Sequence, residues 1–327
     1  MKKRGMPPLA KRWLTPALLV AGLALSILLP QLGVLNLYLQ QVIIYVGINI
    51  ILTISLNLVN GYMGEFSVGH AGFMAIGAYV SSLLTVLLFP KAWGPFVFPL
   101  VLILGGLAAA LAGLLVALPS FKTRGDYLAI VTLAFNMIIK SVLENIDAIG
   151  GPRGFMGMSK LTNVASVYIW VLITIVVLRN FVFSSFGRGV LSVREDEVAA
   201  ELVSVNTQQT KVLAFVISSF FAGIAGGLFA HVLQFINPKS FTILKSTDVL
   251  VMVYLGGVGS ITGSILGASI YTVLLELLRP LGVWRWVVGP LMLVVLMITR
   301  PRGIFGLRES RWLSPPEEVE ADAAATG

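Results

Sequence analysis

Ten apolar runs follow one another along this chain, at 14–30, 37–59, 69–89, 96–118, 127–143, 166–183, 211–235, 246–257, 261–278 and 284–300. An α-helix rises 1.5 Å per residue, so about 20 apolar residues match the hydrocarbon thickness of a bilayer, and fewer suffice inside protein. Two of the runs are weaker. The stretch 246–257 is short and suggests a broken or re-entrant helix, and 127–143 carries Asn136 and Lys140. The count therefore lies between eight and ten.

The polar stretches between the runs choose within that range. Basic residues gather at Lys2, Lys3, Arg4, Lys11 and Arg12, at Lys122 and Arg124, at Arg188, Arg194 and Lys211, and at Arg300, Arg302, Arg308 and Arg311. The positive-inside rule assigns all four clusters to the cytoplasmic side. Two interior ends require an even number of spans, and ten spans satisfy every cluster. The pattern predicts an all-α polytopic membrane protein of about ten transmembrane helices, some short or broken, with both termini cytoplasmic. Its expected organisation is a basic N-terminus (1–13), a transmembrane domain (14–311) with an interior loop at 184–211, and a tail (312–327). The tail is acidic and Ala-rich without apolar periodicity, so disorder is expected there. The first run looks like a signal peptide, but Pro30-Gln31-Leu32 stands where a small-x-small cleavage site belongs, which predicts an uncleaved first helix. Segment 144–165, polar and rich in Gly and Pro, becomes an exterior loop.

Composition agrees. The chain is 57% hydrophobic and 12% charged, against about 25% charged in soluble domains, so lipid is the solvent for most of it. A net charge of +8 in a soluble protein would raise nucleic acid as a partner. Here the charge sits between apolar runs, and no nucleic-acid role is expected. Cysteine is absent and the two histidines, His70 and His231, are far apart, so neither disulfide nor metal centre is expected. No Gly-Lys pair occurs, which excludes a phosphate-binding loop of the Gly-Lys-Ser/Thr kind, and neither Gly-x-Ser-x-Gly nor His-Glu-x-x-His is present. A non-enzyme without a cofactor is expected.

Three interruptions carry the candidate chemistry. The first, residues 60–72, holds Gly61, Gly64, Gly69 and Gly72 between two apolar runs. Glycine disfavours continuous helix, and irregular backbone at membrane depth persists only against protein or a water-filled cavity. Amides opening the next helix could face a solute carboxylate, and Glu65 and His70 are costly there unless paired or wetted. A gate and a plain cytoplasmic turn stand as equal readings. The second, residues 184–211, is the longest interior loop. Ser192 with Glu195 has the capping-box spacing, which predicts a short helix beginning there. Glu195, Asp196 and Glu197 make its first turn acidic, and Val198, Ala199, Leu202 and Val203 form an apolar stripe at helical spacing. Membrane-surface helices usually have a basic polar face; an acidic one favours a protein partner over a bilayer, with a solvated linker as the alternative. The third, Gly257 to Gly267, is another Gly/Ser-rich break, similar to Gly64–Gly72. Two such breaks at opposite ends of a chain fit an internal repeat as well as they fit chance.

Minor features read as structural. Small residues four apart (Gly106 and Ala110; Gly223 and Gly227; Gly259, Gly263 and Gly267; Ala71 and Ala75) predict close helix packing. Arg124 and Asp126 would pair across a turn, and Asp248 would cap the short run that Ser246 opens.

The chain resembles the permease subunits of branched-chain amino-acid ABC importers, of the LivM type. The resemblance runs from about Leu37 to Leu307 and rests on four stretches: Gly61–Tyr79, Arg124–Leu133, Ala199–Asn206 with Lys211–Gly227, and Gly256–Gly263. It implies a related permease as partner, two cytoplasmic ATPases docked on coupling loops, a periplasmic binding protein, and a place in the bacterial inner membrane. Branched-chain amino acids are the implied cargo, with related amino acids, urea or short amides as alternatives. Together with the interruptions it singles out Gly64, Glu65, Phe66, Ser67, Gly69, His70, Gly257, Gly259 and Ser260 for the translocation path or gate. Arg194, Glu195, Asp196, Glu197, Ala199, Ala200, Glu201 and Asn206 are the expected ATPase-coupling residues. Family members usually carry Gln at the position of Glu65 and Gly at that of Ser204. Two rival readings are an ion-coupled transporter, using Glu65, Asp126, Asp248 or Glu276, and a non-transporting scaffold.

Overall fold

A computed structural model describes residues 21–33, 35–88, 94–122, 127–299, 303 and 309. Every apolar run is helical over most of its described residues. Helix α1 spans Ala21–Gln31. Helix α2, Leu37–Asn57, continues through one wide turn, Leu58–Tyr62. Helix α3, His70–Leu83, does the same through Leu88. There follow α4 (Gly94–Ser120), α5 (Tyr127–Asn145), α6 (Val164–Val182), α7 (Ser185–Glu195), α8 (Glu197–Leu202), α9 (Thr207–Leu233), α10 (Ile243–Gly256), α11 (Ile261–Leu277) and α12 (Arg285–Thr299). Among the described residues six helices are long and apolar enough to cross a membrane: α2 and α3 with their extensions, α4, α5, α6 and α9. Helices α1, α10, α11 and α12 are shorter. The chain is thus an all-α membrane protein.

Burial orders the bundle. The most apolar stretch of α2 is 78% buried inside the chain, whereas those of α5 and α6 are 22% and 28% buried. Helix α2 is the axis and packs on α6, α9 and α11; α9 packs most extensively on α3 and α4. Lipid supplies no hydrophobic force between helices, so close backbone approach must hold them, and the expected small-residue faces provide it. A methyl group on Gly226 would fall 1.9 Å from the Met74 carbonyl oxygen, and one on Gly77 would fall 2.1 Å from that of Gly223. The α10–α11 crossing is equally tight, with Gly267 against the Met252 carbonyl.

At one end of the bundle, residues 146–163 fold into short turns and a two-residue strand, β1 (Phe155–Met156). It pairs antiparallel with β2 (Phe235–Ile236), just after α9. The Asn237 amide donates to the Pro152 carbonyl at 3.1 Å, so the two connections at this end are tied together. The opposite end holds α7, α8 and both glycine-rich breaks.

Two local expectations are corrected. Ser192 does not start a helix. Ser184 caps α7 by accepting from the Gly187 amide, so Ser192 falls inside that helix and donates to the Gly189 carbonyl. The new helix begins at Asp196, whose carboxylate accepts from the Val198 and Ala199 amides at 2.9 and 3.0 Å. A carboxylate beside two free amides is a strong cap, and it displaces the start four residues. Nor does Asp248 cap α10. That helix opens at Ile243, after Thr242, and Asp248 lies inside it, accepting from the Tyr271 hydroxyl at 2.8 Å. The Arg124–Asp126 turn, the N-terminus before residue 21 and the tail 312–327 lie outside the described residues.

Candidate gate and coupling region

The two breaks, some two hundred residues apart in sequence, meet in space. Asn57, fully buried, stitches them. Its amide nitrogen donates to the Ser260 carbonyl at 2.9 Å and to Ser264 Oγ at 2.7 Å, and its oxygen accepts from the Gly259 amide at 2.9 Å. The approach is so close that a methyl group on Gly61 would lie 2.3 Å from the Gly259 nitrogen. Gly257 and Gly259 have φ of 142° and 80°, the latter in the left-handed region that favours glycine. Ser260 then caps α11, accepting from the Gly263 amide at 3.0 Å.

One residue from beyond α12 joins them. The Glu309 carboxylate accepts from the Ile261 amide, from the Thr262 hydroxyl at 2.9 Å and from the Tyr62 hydroxyl at 2.8 Å. An anion at a helix N-terminus satisfies orphan amides and the helix dipole together.

The first break is irregular over residues 63–69. Asn60 holds it from inside, its side-chain oxygen accepting from the Ser67 amide at 3.2 Å. Three of the amides around the start of α3, weighed above as a carboxylate cradle, are already engaged. Val68 N–H donates to Thr132 Oγ1, Ala71 N–H to Ser246 Oγ, and Gly72 N–H to the Gly69 carbonyl. His70 is buried and lies 2.8 Å from Ser55 Oγ. Ser67 and Gly69 are buried with it, whereas Gly64 and Phe66 reach the surface. Of the residues expected at the gate, these therefore split into a packed inner group and an outer rim.

Glu65 belongs to that rim and carries its charge into a bridge. Lys211, near the start of α9, sits 2.7 Å from Glu65 and 2.9 Å from Glu197 of α8. The lysine side chain is only 10% exposed, so water screens the pairs weakly. Arg194, at the end of α7, donates to the Gly61 carbonyl at 3.2 Å and packs its stem on Gly64. The expected coupling segment therefore touches the first break at two points, one neutral acceptor and one ion triad.

The remaining coupling residues fall into two sets. Asn206 caps α9 through the Gln209 amide, Glu201 accepts from the Thr207 hydroxyl, and Ala200 is 2% exposed; these three hold the segment together. Glu195 and Ala199 face solvent. So do Val198, Leu202 and Val203, the last two at 83% and 72% exposure. Ser204, where the family usually has Gly, adopts φ of 65°, which supplies the reason for that glycine.

Sequence reasoning passed over Lys211 as a partner, using it only to mark a boundary. Asn57 was missed as well, though an amide inside an otherwise apolar run was a usable signal, because it needs a buried partner.

Residues 38–299 match the family model described as branched-chain amino acid transport system / permease component, and the chain belongs to this family. It is similar to the high-affinity branched-chain amino acid transport system permease protein LivM of Escherichia coli K12, with 36% identity over 293 residues, 79% of this chain and 67% of that protein. LivM of Salmonella typhimurium matches with the same figures. The likeness to LivH of Salmonella typhimurium is lower, 27% over 188 residues, 56% of this chain and 60% of that one. Within the family the chain is thus of the LivM type. No solved structure matches it.

Proposed function

We propose that this chain is one of two related permease subunits of an ATP-binding-cassette importer in the bacterial inner membrane, moving branched-chain amino acids inward. The curated relatives are named for that transport. In this reading ten helices span the membrane with both termini in the cytoplasm, and a periplasmic binding protein delivers cargo at the β1–β2 end. One ATPase of a pair docks on the exposed apolar face of α8, Val198, Leu202 and Val203. ATP-driven closure moves α8, and the Glu65–Lys211–Glu197 triad passes that motion to the first break.

The triad is the observation that carries the reading, because it ties a solvent-facing helix to the irregular backbone by charge. Ion-coupled transport is less well supported: Glu65, Asp248 and Glu276 are engaged by Lys211, by Tyr271, and by Arg279 with Tyr38.

The test is to express the chain with its partner permease and ATPases and compare it with Leu202→Asp. The expected result is co-purification and ATP-dependent uptake for the former, and loss of the ATPase from the purified complex for the latter. Labelling of residue 202, replaced by cysteine, with an impermeant reagent from outside intact cells would sink the assignment.

A further inference from the structure

Away from α8, a cavity of about 630 Å³ opens between α2, α10 and α11. Its walls are of two kinds. Ile48, Met252 and Leu275 are apolar, while Asn49, Lys245 and Asp248 are polar, and Lys239 and Glu276 add a second cation and a second anion to the lining. Lys245 donates to Asn49 Oδ1 at 3.1 Å, and the Asn49 amide donates to Thr272 Oγ1 at 2.9 Å. Lys245 and Asp248 are three residues apart on α10 and so share a helix face.

Depth makes the arrangement informative. Asn49 stands midway between Leu37 and Tyr62, the ends of the most buried span, which in the spanning arrangement proposed above puts it near the bilayer centre. An ammonium group there is expensive, and such residues line substrate paths. Lys245 lines an open space of several hundred cubic ångströms, which is the usual size of a small-molecule site, so its ammonium is within reach of a solute held there.

We infer that this cavity is a binding site for a zwitterionic aliphatic amino acid, with its carboxylate on Lys245 and Asn49, its ammonium on Asp248, and its side chain against Ile48 and Met252. Lys245 and Asp248, one cation and one anion on one face of α10, match the two ends of a zwitterion, and the apolar wall selects an aliphatic side chain over a charged one. The inference rests on the function proposed above and names where the cargo sits.

The chain contains no cysteine, so Thr272→Cys places a single thiol of this chain in the cavity. The complex with partner permease and ATPases, in proteoliposomes, is treated with an impermeant thiol reagent. Leucine is expected to slow labelling of this subunit, whereas leucinamide, without a carboxylate, and isocaproate, without an amine, do not. Adding Lys245→Gln should raise the leucine concentration for half-protection roughly tenfold, the effect of one charge-assisted hydrogen bond, with Lys245→Arg retaining most protection. Equal rates with all three solutes would overturn the site, as would a thiol that never reacts, since a cavity that admits cargo must admit solute. Should Lys245→Gln fail to assemble, the comparison of the three solutes on the lysine-containing complex decides alone. Uptake by the unsubstituted complex separates the two readings. Leucine uptake with unprotected labelling sinks the site and spares the function, and absence of both assembly and uptake sinks both.

Discussion

The two glycine-rich breaks meet at Asn57 yet are held in different ways. The second, 257–260, is short and carries no charge of its own. The Asn57 amide holds it, its own Ser260 caps α11, and the Glu309 carboxylate binds the two residues that follow. The first, 63–69, is longer and is tethered to α7 and α8 through Arg194 and the Lys211 triad. Capped backbone with every group satisfied resists rearrangement. A charge bridge between separate elements instead moves when either element moves. In the proposed function the pair acts as a pivot beside a lever, and substitutions should separate the two.

The largest effect is expected at the shared stitch. Asn57→Leu leaves the Gly259 amide and the Ser260 carbonyl without their partner in the core, each at about 1–3 kcal/mol. The folded subunit should be lost from the membrane, as read by detergent-extracted yield and thermal stability. Full yield would show that the breaks do not depend on each other. A smaller and more selective effect is expected at the lever. Lys211→Met strands Glu65 and Glu197 but spares the pivot. The complex should assemble and hydrolyse ATP while uptake falls roughly tenfold, in line with breaking a partly buried pair. Glu65→Gln, which keeps a hydrogen-bond acceptor, should lose less. If Lys211→Met left uptake unchanged, the lever would have no role. Smallest of all, Ser204→Gly relieves a side chain at positive φ and should stabilise by about 1 kcal/mol, seen as a modest rise in Tm with uptake intact.

Much of this was legible in the sequence. The helices followed from apolar runs, because lipid forces backbone pairing within each segment. Both breaks followed from their glycines, and close helix packing followed from small residues four apart, though not which helices meet. What escaped depended on distance in the chain. Nothing local to Asn57 names residues 257–264, and nothing near Glu65 names Lys211. Ser192 misled because a good capping pattern was outcompeted by Ser184 upstream and Asp196 downstream. Ala200 was expected at the coupling surface only through the family resemblance, and α8 turns it inward, whereas Leu202 of the expected apolar stripe faces solvent. Lys245 attracted no notice as one more charge at a run boundary; its extra helical turn before the apolar core placed it beside Asn49.

Glu309 makes the stretch beyond α12 part of the working fold rather than packaging. Trimming the chain back to the end of α12 would strip the anion from the Ile261 amide and from the Thr262 and Tyr62 hydroxyls in one cut. A purification tag or fluorescent fusion therefore belongs well downstream of that glutamate, and a truncation meant to tidy the terminus would instead loosen the start of α11.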